Sequence, residues 1–270
     1  MPSSIGVAMK ANVNGAEIDY RDDGEGAPIV FAHAFPLNQS MWNEQVSVLS
    51  TGYRIVSLDQ RGLGESELSV GGYSMDDVAD DVRSLIQTLG IDQAVVVGLS
   101  MGGYVSMAFY RKYPQMVRAL VLADTRAAND TEEGRQRRLA SAEKAEREGS
   151  SAIAYDMVPL LLGRTTLESK PDLVNRVRRM IEANSRAGIA AAQRAMAARP
   201  DSTALLSEAT VPVLIVVGSE DSLTPPSEAE VLQKSIPSAR LTVIDGAGHL
   251  SNMERPAAFN RTLSEFLKSL

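Results

Sequence analysis

The chain has 270 residues, a formal net charge of −7, two histidines and no cysteine. That length suffices for a substantial core in one domain, or in one domain carrying an insertion. The acidic balance argues against a nucleic-acid partner, and the missing cysteines exclude disulfides, thiolate catalysis and cysteine-ligated metals.

Residues 1–10 lack a charged stretch followed by an apolar one, so no secretory leader is expected. The end of the N-terminal segment, Ile18 to Arg21, reads as an antiparallel edge. Short apolar runs then alternate with helical patterns. Residues 27–32 (Ala-Pro-Ile-Val-Phe-Ala) and 53–58 (Tyr-Arg-Ile-Val-Ser-Leu) read as buried strands. Residues 75–89 place Val78, Val82, Leu85, Ile86 and Leu89 on one helical face. Ser74 with Asp77 three residues later is a capping-box variant at its start. Strands follow at 94–99, 119–123, 213–217 and 241–244, with a helix at 103–113. A last helix opens at Pro256, with Phe259, Leu263, Phe266 and Leu267 on one side. Strands alternating with helices imply a mostly parallel sheet covered on both faces.

The rhythm breaks between Arg126 and Arg199. No strand-like run occurs there, and helical patches fall at 135–148, 172–184 and 188–198. A crossover rarely needs over seventy residues, so 126–199 is expected to be a helical insertion between two strands of the sheet. Residues 1–125 and 200–270 would form the core around it. No apolar run approaches the roughly 20 residues of a membrane helix. The expectation is a cytoplasmic protein without membrane contact.

Chemistry concentrates at strand ends. Gly98-Leu99-Ser100-Met101-Gly102 follows a β-branched run and precedes a helix. That is the context of a nucleophile elbow, in which a serine hydroxyl is displayed on a sharp strand-to-helix turn. A serine hydroxyl needs a base, and the base needs an orienting partner. Only His33 and His249 offer an imidazole, which also argues against a histidine-rich metal site. His249 follows the strand at 241–244. Asp221 follows the strand at 213–217, and Asp124 also ends a strand, so two acids compete for the third place.

Several linked motifs give the chain a family resemblance. His33-Ala34-Phe35-Pro36 resembles an oxyanion loop of the form His-Gly-x-Pro. Asp59-Gln60-Arg61-Gly62-Leu63-Gly64-Glu65-Ser66 resembles an Asp-x-Arg-Gly-x-Gly-x-Ser loop. The elbow, Asp221-Ser222-Leu223-Thr224-Pro225 and Gly248-His249 complete the set. Together they resemble the α/β-hydrolase family over nearly the whole chain. The resemblance is closest to small capped esterases and lactonases, including 3-oxoadipate enol-lactone hydrolases, and to the cofactor-free haloperoxidase and perhydrolase group. It implies an eight-stranded, mostly parallel sheet with residues 126–199 as a helical cap between strands 6 and 7. It also implies a serine hydrolase cleaving a small carboxylic ester or lactone through an acyl-enzyme. Ser100 would be the nucleophile, His249 the base and Asp221 its orienting acid. The backbone N–H groups of Phe35 and Met101 would form the oxyanion hole. No cofactor and no metal are implied, and the partner would be a small molecule alone.

Perhydrolysis, C–C bond hydrolysis and a receptor role use the same constellation and stay open. Ala34 departs from the usual glycine, which would cost about 1 kcal/mol if that position needed a left-handed backbone. His33 and the Asp59–Arg61 loop read as structural, the latter as a rigid corner held by a short-range ion pair. Trp42 reads as core, and so do Met157, Met180 and Met196, for which lining an acyl pocket is the alternative. Arg135, Arg137 and Arg138 read as a solvated helix face, with a substrate carboxylate as the alternative partner.

Overall fold

The computed structural model describes residues 6–270. The expectation of a missing leader at residues 1–10 therefore falls partly outside the described residues. Eight strands form one sheet: β1 (Met9–Val13), β2 (Ala16–Asp23), β3 (Ala27–Ala32), β4 (Tyr53–Leu58), β5 (Ala94–Leu99), β6 (Val117–Ala123), β7 (Val213–Gly218) and β8 (Ala239–Ile244). Their order is β1-β2-β4-β3-β5-β6-β7-β8. β1 pairs with β2, and β2 with β4, in antiparallel fashion, which makes the N-terminal segment the expected edge. All pairs from β4 through β8 are parallel.

The helices are α1 (Asn43–Leu49), α2 (Met75–Thr88), α3 (Met101–Lys112), α4 (Glu132–Glu148), α5 (Ser150–Leu161), α6 (Arg164–Ser169), α7 (Pro171–Glu182), α8 (Arg186–Ala197), α9 (Thr203–Ser207), α10 (Pro226–Ser235), α11 (Ser251–Glu254) and α12 (Pro256–Lys268). The Ser74–Asp77 capping box forms as expected, with Ser74 N donating to Asp77 Oδ2 at 2.7 Å and Asp77 N to Ser74 Oγ at 3.2 Å. β5 is buried at all six positions, as a central parallel strand must be, and Val95, Val96 and Val97 meet that demand. The first ten residues of α3 are buried too, so this helix packs on all sides. Trp42 is fully buried against Phe31, with ring centroids 4.6 Å apart.

Helices α4 to α8, in the segment expected to be a cap, lie between β6 and β7. Two of them, α5 and α6, have no counterpart among the expected helical patches. α5 is apolar on average and contains Pro159, so it shows no amphipathic period to detect. α3 begins two residues earlier than its pattern suggests, because the helix starts directly after Ser100.

The order of the sheet reverses at β3. The chain steps from β3 out to β4, then returns to place β5 on the other side of β3. At such a switch point the loops leaving adjacent strand ends diverge and open a crevice. The loops leaving β3 and β5 carry Phe35 and Ser100.

Candidate active site

Ser100 occupies the turn between β5 and α3 with φ 57° and ψ −114°. A left-handed backbone at a non-glycine residue costs about 1–3 kcal/mol and persists only where its surroundings over-determine it. Here β6 supplies the constraint. Ser100 N donates to Ala123 O at 2.9 Å, and Thr125 Oγ1 donates to Ser100 O at 2.9 Å. The flanking glycines are demanded by close approach. A Cβ on Gly98 would lie 2.1 Å from Gly102 O, and one on Gly102 would lie 2.0 Å from Ala32 O. The elbow is thus pressed against both β3 and its own first helical turn.

His249 and Asp221 are almost fully buried. His249 Nδ1 donates to Asp221 Oδ2 at 2.8 Å. Leu223 N and Thr224 N donate to Asp221 Oδ1 at 2.8 and 3.0 Å, and Thr224 Oγ1 donates to Oδ2 at 2.7 Å. Burial raises the Asp221 pKa. The His249 charge, the hydrogen bond to His249 and those from Thr224 outweigh it, and the net shift is downward. Thr224 Oγ1 also stands 3.2 Å from His249 Nδ1. Its position inside the Asp221-to-Pro225 motif was the only sequence signal for this contact.

Asp124, the competing acid, bonds elsewhere. Its carboxylate accepts from Gly218 N at 2.8 Å and from Ser251 Oγ. Burial first, and then the charge of Asp221, push its pKa well above the ordinary carboxylate range. It has φ 45° and no hydrogen bond to His249.

Phe35, Ser100 and His249 line one cavity of about 580 Å³, within the roughly 300–1,000 Å³ usual for small-molecule sites. Met101 is the first residue of α3, where helical geometry gives the amides no partner within the helix. Ala34 is absent from the positive-φ residues, so alanine is unstrained there, and its N–H points at Met41 Sδ. His33 is fully buried and braces this loop. Gln60 N donates to His33 Nε2 at 2.9 Å, and Nδ1 donates to Ala34 O at 2.9 Å. Burial lowers its pKa to about 4, although the Ala34 contact opposes the shift.

The corner at Asp59 differs from expectation. Arg61 pairs with Asp81 on α2 at 2.5 Å, not within its own loop. Asp59 instead accepts from Gln39 N at 2.7 Å and Glu65 N at 2.9 Å. Neighbouring positions in sequence suggested a local pair, but a buried guanidinium needs the several acceptors that Asp81, Ser69 and Asn14 provide together.

The cavity wall formed by α4, α5 and α8 departs in part from a second expectation. Arg135 is solvated and pairs with Glu132, but Arg137 and Arg138 line the cavity together with Arg126. Arg137 is exposed to solvent, as expected, and also borders the cavity, whereas Arg138 is half-buried against Asp130. Met157 and Met196 line the cavity as well, whereas Met180 lines a separate open groove of about 600 Å³ beside Asn38 and Arg176. Asp130 accepts from Arg126, Arg138 and Arg199; burial pushes its pKa up, but Arg199 and Arg138 hold the carboxyl well below the ordinary range. Asp156 pairs with Lys144 at 2.5 Å. Among the described residues Arg137 has no hydrogen-bond or ion-pair partner, and the Arg126 Nε is buried without one. The described residues contain no cluster of three or more His, Cys, Asp or Glu arranged for a metal, and no helix long and apolar enough to cross a membrane.

This chain belongs to the α/β-hydrolase fold family, whose sequence model matches residues 27–256. Among solved structures it is similar to a thermophilic esterase from Thermogutta terrifontis, solved with malate bound. The two are 38% identical, with a TM-score of 0.94 over 98% of this chain and 99% of that one. It is 28% identical to 3-oxoadipate enol-lactonase 2 of Acinetobacter baylyi over 89% of this chain and 88% of the relative. It is 30% identical to a putative non-heme bromoperoxidase of Mycobacterium tuberculosis over 93% of this chain and 97% of that one.

Proposed function

We propose that the protein is a carboxylic ester hydrolase that cleaves a small ester or lactone carrying a free carboxylate. Ser100 Oγ attacks the carbonyl carbon while His249 Nε2 takes the hydroxyl proton. The N–H groups of Phe35 and Met101 receive the oxyanion. Collapse expels the alkoxide, which takes the proton back from His249. Water activated by the same imidazole then attacks the acyl-enzyme, releasing the acid and restoring Ser100. In a lactone the leaving hydroxyl stays attached to the acyl chain. Asp221 fixes the imidazole so that Nε2 faces Ser100. Residues 126–199 act as one cap unit over this centre.

The observation that carries the reading is the Thr224–Asp221–His249 network, which shares a cavity with a strained serine at the sheet's switch point. The carboxylate preference rests on the cap wall. Three cations, Arg126, Arg137 and Arg138, line the cavity against two anions, Asp130 and Asp156, and of the three only Arg137 has no ion-pair partner among the described residues. That excess stands out in a chain of net charge −7. The malate bound to the Thermogutta terrifontis esterase, itself a dicarboxylate, accords with it.

A matched pair of substrates tests the preference. Monoethyl adipate and ethyl hexanoate share an ester and a chain and differ in the terminal carboxylate. Arg137→Met should lower kcat/KM for monoethyl adipate by roughly 10- to 100-fold, the value of a hydrogen bond to a charged group. Ethyl hexanoate should change by no more than about twofold. An equal effect on both would remove the arginine from substrate recognition.

A further inference from the structure

Cap and core meet at one buried carboxylate that the reaction itself does not use. Glu254, on α11, is fully buried. Its Oε1 accepts from Gly248 N at 2.9 Å and Leu250 N at 3.2 Å, the amides on either side of His249. Its Oε2 accepts from Gly163 N at 2.9 Å, in the turn joining α5 to α6 of the cap. Among the described residues its carboxylate has no ion-pair partner. Both oxygens are spent on backbone amides of two segments far apart in sequence.

Those two segments touch backbone to backbone. A Cβ on Gly248 would lie 2.1 Å from Gly163 N, and a Cβ on Gly163 would lie 2.8 Å from Gly248 N. A side chain at either position would force them apart. A second carboxylate fastens the same cap turn to the acid loop. Glu220, which precedes Asp221, accepts from Thr165 N at 2.8 Å and from Thr165 Oγ1. The cap residues just before this turn, Leu160 and Leu161, line the cavity.

We propose that Glu254 is a positioning residue that locks the His249 loop to the Leu162–Gly163 turn of the cap, so that the cavity wall and the imidazole hold one register. Glutamine at this position would place an NH₂ where an acceptor stands and turn it against a donating amide. The His249 loop and the cap turn would then part, and a displacement of about 1 Å in a reacting group costs about 10²-fold in rate.

The proposal rests on His249 acting as the base for Ser100, and the test separates the two. Fluorophosphonate titration counts reactive Ser100 sites, and kcat is expressed per titrated site. Glu254→Gln should lower kcat per site by 10- to 100-fold while KM for monoethyl adipate stays within about threefold. A merely structural role would lower the titrated fraction and the melting temperature but leave kcat per site unchanged, which would overturn the proposal. If Glu254→Gln does not fold, Gly163→Ala presses on the same contact from the cap side and should give the same loss per site. In the wild-type protein, the amides of Gly163, Gly248 and Leu250 should share one hydrogen-exchange rate. A Gly163 amide exchanging orders of magnitude faster than Gly248 would contradict the lock. A wild-type protein that hydrolyses no ester would instead sink the function proposed above.

Discussion

The sheet edge and the cap wall face each other across one cavity and are built on opposite principles. At the sheet edge, backbone geometry dominates. Ser100 is held in a left-handed turn by Ala123 and Thr125, and Gly98 and Gly102 stand where no Cβ fits. On the cap wall, long charged side chains dominate, with three guanidiniums on the single carboxylate of Asp130. A backbone-built site is rigid and makes bonds. A wall of long side chains sets charge and shape and tolerates exchange. If, as proposed, bond making lies on the sheet edge and recognition on the opposite wall, substitutions on the two sides should act on different kinetic constants.

The largest effect belongs to the sheet edge. Ser100→Ala should lower kcat on the order of 10⁶-fold for every ester, anionic or neutral, if the three residues act as a unit. A loss confined to anionic substrates would erase the division between the two sides. Next comes the choice of acid. Asp221→Asn should cost on the order of 10⁴ in kcat, since an amide presents the wrong partner to His249 Nδ1. Asp124→Asn should cost far less per active site, because its donors are Gly218 N and Ser251 Oγ. Comparable losses in both variants would show that the 2.8 Å contact with Asp221 does not decide the matter. The Arg137→Met comparison follows on the cap side, at one to two orders of magnitude.

The smallest effect is on stability, not rate. His33 is held neutral down to about pH 4 by burial, whereas the unfolded chain protonates it near pH 6.5. Below pH 6.5 the unfolded state binds the extra proton, so this group withdraws stability as pH falls from 6.5 to 4. Asp59 acts the other way. Burial raises its pKa to about 6, the folded state takes up the proton first, and stability rises as pH falls from about 6 towards 4. In the native protein the two oppose each other. His33→Gln removes only the first, so its stability deficit should shrink by about 2 kcal/mol between pH 7 and pH 5. Urea melts at the two pH values measure this, and a deficit independent of pH would contradict it.

What the sequence disclosed follows the range of each constraint. The elbow, the Ser74–Asp77 cap and the strands of the sheet are local, and a few neighbouring residues are enough to specify them. Phe35 and Asp221 could be expected near Ser100 and His249 because strand ends gather on one edge of a parallel sheet, and Phe35 shares their cavity while Asp221 bonds His249. The partner of Arg61 lies twenty residues away on α2, and the pairing read from adjacency was wrong. Arg138 was misread for the same reason, because its partner Asp130 lies eight residues away and the burial of α4 is decided by its packing on α8. Glu254 gave no signal at all, since its partners are backbone amides, which every residue but proline carries.

The most direct test of the central claim is the intact mass of the protein after reaction with a fluorophosphonate, followed by peptide mapping. The account predicts one adduct per chain, on Ser100, and none in Ser100→Ala or in protein unfolded by urea. An unmodified folded protein, or an adduct on any other residue, would contradict it.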